Sequence, residues 1–344
     1  MASSAIDEAQ VNFVSPSGDD AAEGSHDAPW RTLARALDGV RPGAEIVLFP
    51  GAYPAAALSG ILGEEGCPIV LRGERAMPID WTTIREVDRE LFAVPIREAL
   101  GAGRLSLAST EGLAAIEGRG SPVGLLLKGC AHLRIENLVF RNAATNLEFH
   151  GCRHVTVRDC VVTGDPSLSL EGVALRIAEE ETEPSRFLRF ERVLAYGMKE
   201  NGFCMNRGAA YDVDWDCCLA HGMQSEGGDG FSFQHVRAVK GTEPSSRHVF
   251  PDGVDYRMRL VRCVAMGNRL DGFDLGTGVG GVTLEKCFGD GNGWAEYYAR
   301  DLKVWSGGNV FRQCRMTGRA QFISGSSTLE DFRAGTKPGS PEAF

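Results

Sequence analysis

The chain has 344 residues, 43% hydrophobic and 24% charged, a balance that supports a sizeable core and excludes disorder as the default. Its net charge of −10 argues against a nucleic-acid partner, because a phosphate backbone is held by clustered Lys and Arg. No apolar run is long enough to span a membrane, and the N-terminus lacks the basic and apolar stretches of a signal peptide. The chain as written is therefore expected to be cytoplasmic with no membrane partner, or secreted if such a peptide was removed.

In chain order, VNFVSPSGDD reads as a strand and a turn. Trp30, Leu33, Leu37 and Val40 then follow at helical spacing and predict a helix over residues 28–41. Such a helix would cap the open end of a solenoid, where apolar core and unpaired strand edge are otherwise exposed. PGAEIVLFPGAY supplies a first rung. Residues 73–121 fit no period and are expected to be an irregular insertion within a single domain covering 1–344.

Beyond them a phrase recurs: LVFRN, CVVTG, VLAYG, CLAHG, CVAMG, CFGDG and CRMTG. It starts at Leu138, Cys160, Val193, Cys218, Cys263, Cys287 and Cys314, with spacings of 22, 33, 25, 45, 24 and 27 residues. A base period of 22 to 27 residues, short strands, polar corners and 43 glycines describe an all-β chain folded as a right-handed parallel β-helix. The two long spacings place extra residues near Glu179 to Arg186 and in a long loop over 237–256. Five of the ten cysteines hold one register, which predicts a reduced interior ladder rather than disulfides. His150 and His154 have the HxxxH spacing of a metal site, but that spacing converges only on a helix.

A second strand precedes each phrase: LLLK from Leu125, LEFH from Leu147, VALR from Val173, FCMN from Phe203, FSFQ from Phe231, FDLG from Phe273 and LKVW from Leu302. With period two the first and third residues face inward and the second and fourth face solvent. One outward column is then Leu126, Glu148, Ala174, Cys204, Ser232, Asp274 and Lys303. Its neighbour is Lys128, His150, Arg176, Asn206, Gln234, Gly276 and Trp305.

Three acids, Asp229, Asp271 and Asp274, fall on one patch, with Lys303 next in the column. Unpaired carboxylates at strand spacing repel one another, which favours a hard cation or a positive neighbour. Asp-Gly is also a common turn former, and the equivalent NGF at Asn201 shows that the position serves as a plain corner. Lys128, His150, Arg176, Gln234 and Trp305, with Arg207, His235 and Arg300 near the strand ends, are candidate contacts to an anionic carbohydrate or small anionic metabolite. His221 follows Cys218 at a turn, but its counterparts Tyr196, Met266 and Asp290 share no chemistry.

The run GGDGFSF, then NRLDGFDLGTGVGGVTLEKCFGDGNGW, then DLKVWSGGNVFRQC resembles the β-helical pectate lyases of polysaccharide lyase family nine, over about Ser225 to Gly318. That resemblance implies Ca²⁺ bound by Asp229, Asp271 and Asp274, with Asp274 and Lys303 catalytic and Lys303 the base. One acidic position of the family's phrase is Leu270 here. The implied reaction is removal of a proton α to a uronate carboxylate followed by β-elimination, with a metal stabilising the developing charge. Two other readings stand beside it. One is an intracellular β-helix epimerase, dehydratase or cyclase acting on a small anionic metabolite; the other is a non-catalytic carbohydrate-binding solenoid. Oligomeric state leaves no trace in the sequence.

Overall fold

The computed structural model describes residues 10–79, 81, 110–177, 183–206, 209–234, 256–276, 279–300, 308–323 and 328–334. They form a right-handed parallel β-helix. Nine described strands stack into one face, in the order Ala56–Ser59, Val123–Lys128, Thr145–His150, Glu171–Arg176, Phe203–Asn206, Phe231–Gln234, Phe273–Leu275, Tyr297–Arg300 and Ala320–Ile323. A second, 19-stranded sheet wraps the remaining sides.

The period-two pattern sets the core. Leu125, Leu127, Leu147, Phe149, Phe203, Phe231, Phe233 and Phe273 point inward and are at most 1% exposed. The phenylalanine that follows each Asn-Gly or Asp-Gly corner lands on the same vertical line. Phe203, Phe231, Phe273 and Tyr297 therefore stack as a ring ladder, with centroids 4.7, 5.0 and 5.0 Å apart. The rings lie nearly parallel, and the rung repeat of about 4.8 Å sets their spacing.

Cysteine fills the tight inner corner on the other side. Cys160, Cys218, Cys263, Cys287 and Cys314 are buried free thiols, and each reaches a carbonyl one rung below, as Cys218 reaches Phe190 at 3.4 Å. The expected reduced ladder is thus present, and Cys130 and Cys152 extend the same principle at another corner. The residue before each ladder position adopts a left-handed backbone, from Asn137 (φ 54°) through Asp159, Arg192, Cys217, Arg262 and Lys286 to Gln313 (φ 52°). That conformation costs a non-glycine residue roughly 1 kcal/mol. Cross-rung pairs in this corner offset part of it: Arg192 grips Asp159 through two bonds of 2.6 and 2.7 Å.

Three expectations are revised, and a fourth, the long loop, falls outside the described residues apart from Tyr256. The helix spans only Leu33–Leu37, capped by Thr32, whose hydroxyl accepts from the Arg35 N–H. The residues before it are recruited into the coil, since the Trp30 N–H donates to Phe13 and Trp30 bridges Val14. The expected insertion ends early. Ala114–Glu117 is a strand paired with Gly51–Pro54, while residues 80 and 82–109 lie outside the described residues. Finally, the strand after Phe273–Leu275 is Tyr297–Arg300 and not the LKVW segment, because Tyr297 continues the ring ladder and the Phe273 N–H donates to the Glu296 carbonyl.

Candidate functional site

The outer side of the nine-stranded face carries the candidate chemistry. Its register matches the expected column from Leu126 through Glu148, Ala174, Cys204 and Ser232 to Asp274. Exposure does not match. From Glu148 to Asp274 these residues are between 0% and 7% exposed, so side chains leaving the core meet protein rather than water. The next column position belongs to Tyr298, not Lys303. Lys303 and Trp305 lie outside the described residues, as do Arg207 and His235. Gln234 pairs with Asn206, and Arg300 takes the strand-end position expected of Trp305.

Asp229 and Asp271 occupy one corner column with Asn201, and the three form a ladder. Asn201 Oδ1 accepts the Asp229 N–H (3.3 Å), Asp229 Oδ1 the Asp271 N–H (2.9 Å), and Asp271 Oδ1 the Ala295 N–H (2.9 Å). The side chain that starts each rung thus satisfies a buried donor of the next. Asp274 stands within the strand and accepts from the Ser232 hydroxyl at 3.3 Å.

The three acids act on one another. Burial and then the Asp274 charge push the Asp229 carboxyl well above its usual range, against the lowering effect of the Asp271 N–H. Burial, followed by Asp274, raises Asp271 to about 7, opposed by its bond to Ala295 and by Arg319. A carboxyl that titrates near neutrality can both give and take a proton.

Calcium fits this arrangement poorly. The oxygen-rich donor set suits a hard cation. Yet each acid has one oxygen committed to a protein hydrogen bond, and among the described residues no three His, Cys, Asp or Glu side chains are arranged around a common metal position. Leu270 supplies no ligand where the resembled family has an acid. No chemical step is therefore routed through a metal.

A second cluster, four rungs away, was only half legible. His150 and Arg176 are where the register puts them, but neither is a bare cation. His150 Nε2 donates to Glu148 Oε1 at 2.6 Å, Arg176 Nε lies 3.3 Å from Glu148 Oε2, and the Arg176 Nη2 pairs with Glu171. Burial works to lower the Arg176 pKa, but the Glu171 and Glu148 charges prevail and raise it. Lys128 sits opposite His150 on the adjacent strand. Glu148 stood in the expected outward column without an assigned role and Glu171 was not singled out, although the Glu-Phe-His spacing already places Glu148 and His150 on one face. His154 points elsewhere, stacking on His132 and Phe187 at 4.7 Å each, so the HxxxH pair does not converge. His221 bonds the Met266 carbonyl in the column shared with Tyr196, Met266 and Asp290.

Residues 16–78 match the family described as a protein of unknown function, DUF1565. No curated protein matches the chain. Among solved structures, the chain is similar to pectate lyase Pel9A (18% identity, 95% of this chain and 78% of that one, TM-score 0.55). It is also similar to a rhamnogalacturonan lyase (16%, 98% and 90%, TM-score 0.57) and to an alginate lyase from Paenibacillus sp. str. FPU-7 (12%, 88% and 95%, TM-score 0.52). What they share is the fold. At these identities the likeness establishes the β-helix and leaves the chemistry to the residues.

Proposed function

We propose that the chain is a carbohydrate-active lyase that abstracts a proton α to the carboxylate of a uronate sugar and cleaves its chain by β-elimination. The observation that carries this reading is the buried acid cluster on the outer face, where the Asp271 carboxyl is raised to about 7. Carboxyls held near neutrality by burial and like charge mark sites of proton transfer. The fold is shared with lyases whose names specify pectate, rhamnogalacturonan and alginate.

Lys303, expected to be the base, lies outside the described residues, so the proposal is built on the acids. Asp271 takes the proton-transfer role in this proposal, and Asp274 tunes it by charge. As the C–H bond breaks, its proton passes to Asp271, and its electron pair moves toward the substrate carboxylate and then expels the glycosidic oxygen. That oxygen leaves as a hydroxyl after taking a proton from water, and a conjugated unsaturated uronate remains.

The test is the ultraviolet chromophore of that product after incubation with polygalacturonate, rhamnogalacturonan and alginate. Formation on one polymer, reduced about 10²-fold or more in Asp271→Asn, supports the reading. Absence on all three counts against it, as does an Asp271→Asn variant of unchanged rate.

A further inference from the structure

We infer that Glu148 and His150 form a second acid–base centre on the same outer face, serving proton exchange at the carbon α to a uronate carboxylate without chain cleavage. The substrate class rests on the lyase reading above, whereas the centre itself rests on geometry. Counting rungs from Glu148 through Ala174, Cys204 and Ser232 to Asp274 sets it about 19 Å from the aspartates, at about 4.8 Å per rung.

The parts have distinct relations to one another. Glu148 is fixed from two sides, by His150 Nε2 at one oxygen and Arg176 Nε at the other. Glu171, which accepts from the Thr145 hydroxyl at 3.5 Å, holds the other end of the guanidinium. With Nε2 turned to Glu148, Nδ1 is the ring nitrogen that carries the lone pair of the neutral imidazole. Among the described residues no partner of Nδ1 is seen. The Arg176 side chain keeps 35% of its surface exposed, while Glu148 keeps 10%. A base and a guanidinium edge thus stand side by side on a carboxylate support.

Structure alone does not call for these charges. The column neighbours of Glu148 are Leu126 and Ala174, and an apolar residue would continue that column. Burying ionised groups costs desolvation that a hydrophobic replacement avoids, so a polar network set between Leu126 and Ala174 points to use.

The step balances within the protein and solvent. His150 Nδ1 takes the proton from the α carbon, and the C–H electron pair moves into the carboxylate, whose growing charge faces Arg176. The imidazolium exchanges its proton with water and returns one to the same carbon. No bond to the glycosidic oxygen breaks, and no other reactant is consumed.

The experiment incubates polygalacturonate and alginate with the full chain in deuterium oxide. Carbon-bound deuterium in uncleaved chains is read by mass spectrometry, and the ultraviolet chromophore is recorded in parallel. The expected result is deuterium incorporation that falls about 10²-fold or more in His150→Ala and is partly restored by added imidazole. His150→Gln keeps a donor for Glu148 but cannot accept the proton. It should melt as the wild type does and still lose exchange, which separates chemistry from folding. Wild-type protein that places no deuterium in either polymer overturns the inference, and so does a His150→Gln variant that retains the wild-type exchange rate. Chromophore without His150-dependent exchange leaves the lyase reading standing alone. Exchange without chromophore does the reverse.

Discussion

The backbone N–H of Asp271 donates to Oδ1 of Asp229 across 2.9 Å, so an acid of the proposed site also closes the corner of the rung above it. Asp229→Ala should therefore cost about 1–3 kcal/mol, by leaving that buried N–H without an acceptor. Asp229→Asn keeps the acceptor and drops the charge, as Asn201 already does one rung below. It should match or exceed wild-type stability in urea unfolding. Equal losses in the two variants would show that the charge, not the hydrogen bond, holds the corner.

Asp271 also gives stability a pH dependence of definite sign. Its folded pKa of about 7 lies above the unfolded value of about 3.9, so between those limits the folded state binds the extra proton. Its contribution is full below about pH 4 and is lost as pH rises toward 7, by an amount on the order of a few kcal/mol. Asp274→Asn removes the like charge that adds to burial, and should flatten this part of the curve. Denaturant midpoints across the window provide the measurement. An unchanged slope in Asp274→Asn would mean that the two carboxyls do not interact.

Calcium is expected to leave the protein unmoved. A ligand present at a hundred times its dissociation constant stabilises by about 2.7 kcal/mol, which a melting curve would register easily. Because one oxygen of each of Asp229, Asp271 and Asp274 is already in a hydrogen bond, millimolar calcium should not raise the melting temperature, and a chelator should not lower it. A clear calcium-dependent rise would return the metal to the mechanism.

Much of this molecule could be read before its coordinates. The alternation in LEFH and FSFQ placed Leu147, Phe149, Phe231 and Phe233 in the core, and the recurring glycine phrase located the corners, since period and turn chemistry are local properties. The register failed at Lys303 because Tyr297–Arg300 and the LKVW segment both alternate, and only the ring stacked beneath Phe273 decides between them. Exposure failed for a related reason. Period two says which side chains leave the core, not what they meet outside, and Ser232 and Asp274 meet protein. Glu171 was equally out of reach, because it joins Arg176 through a contact that no spacing rule predicts, whereas the Glu148–His150 pair follows from alternation.

The cysteine ladder makes a chemical prediction. Of the ten thiols, Cys67 is exposed and the other nine are buried without disulfides. Burial pushes the Cys160 and Cys204 thiols up, away from the reactive thiolate. A thiol reagent should therefore label one equivalent in the native protein and ten after denaturation, and Cys67→Ser should abolish the native signal. Rapid native labelling of several sites would mean that the coil opens far more readily than its packing indicates.

The ring ladder locates the stability of the coil beneath the proposed site. Phe231 lies fully buried between Phe203 and Phe273, with centroids 4.7 and 5.0 Å away and planes nearly parallel. Phe231→Ala should cost about 3–5 kcal/mol, since it removes a large buried side chain and leaves a cavity that stacked rungs cannot close. Phe231→Leu refills most of the volume without a ring and should cost clearly less. Because Ser232 projects from the next residue toward Asp274, the alanine variant should also disturb the acid cluster, and Asp271 should titrate away from about 7 as the cluster loosens. Urea unfolding checks the first outcome, and carbon-13 shifts of the Asp271 carboxyl across pH check the second. Alanine and leucine variants of equal stability would show that the ladder fills space without holding neighbouring rungs in register.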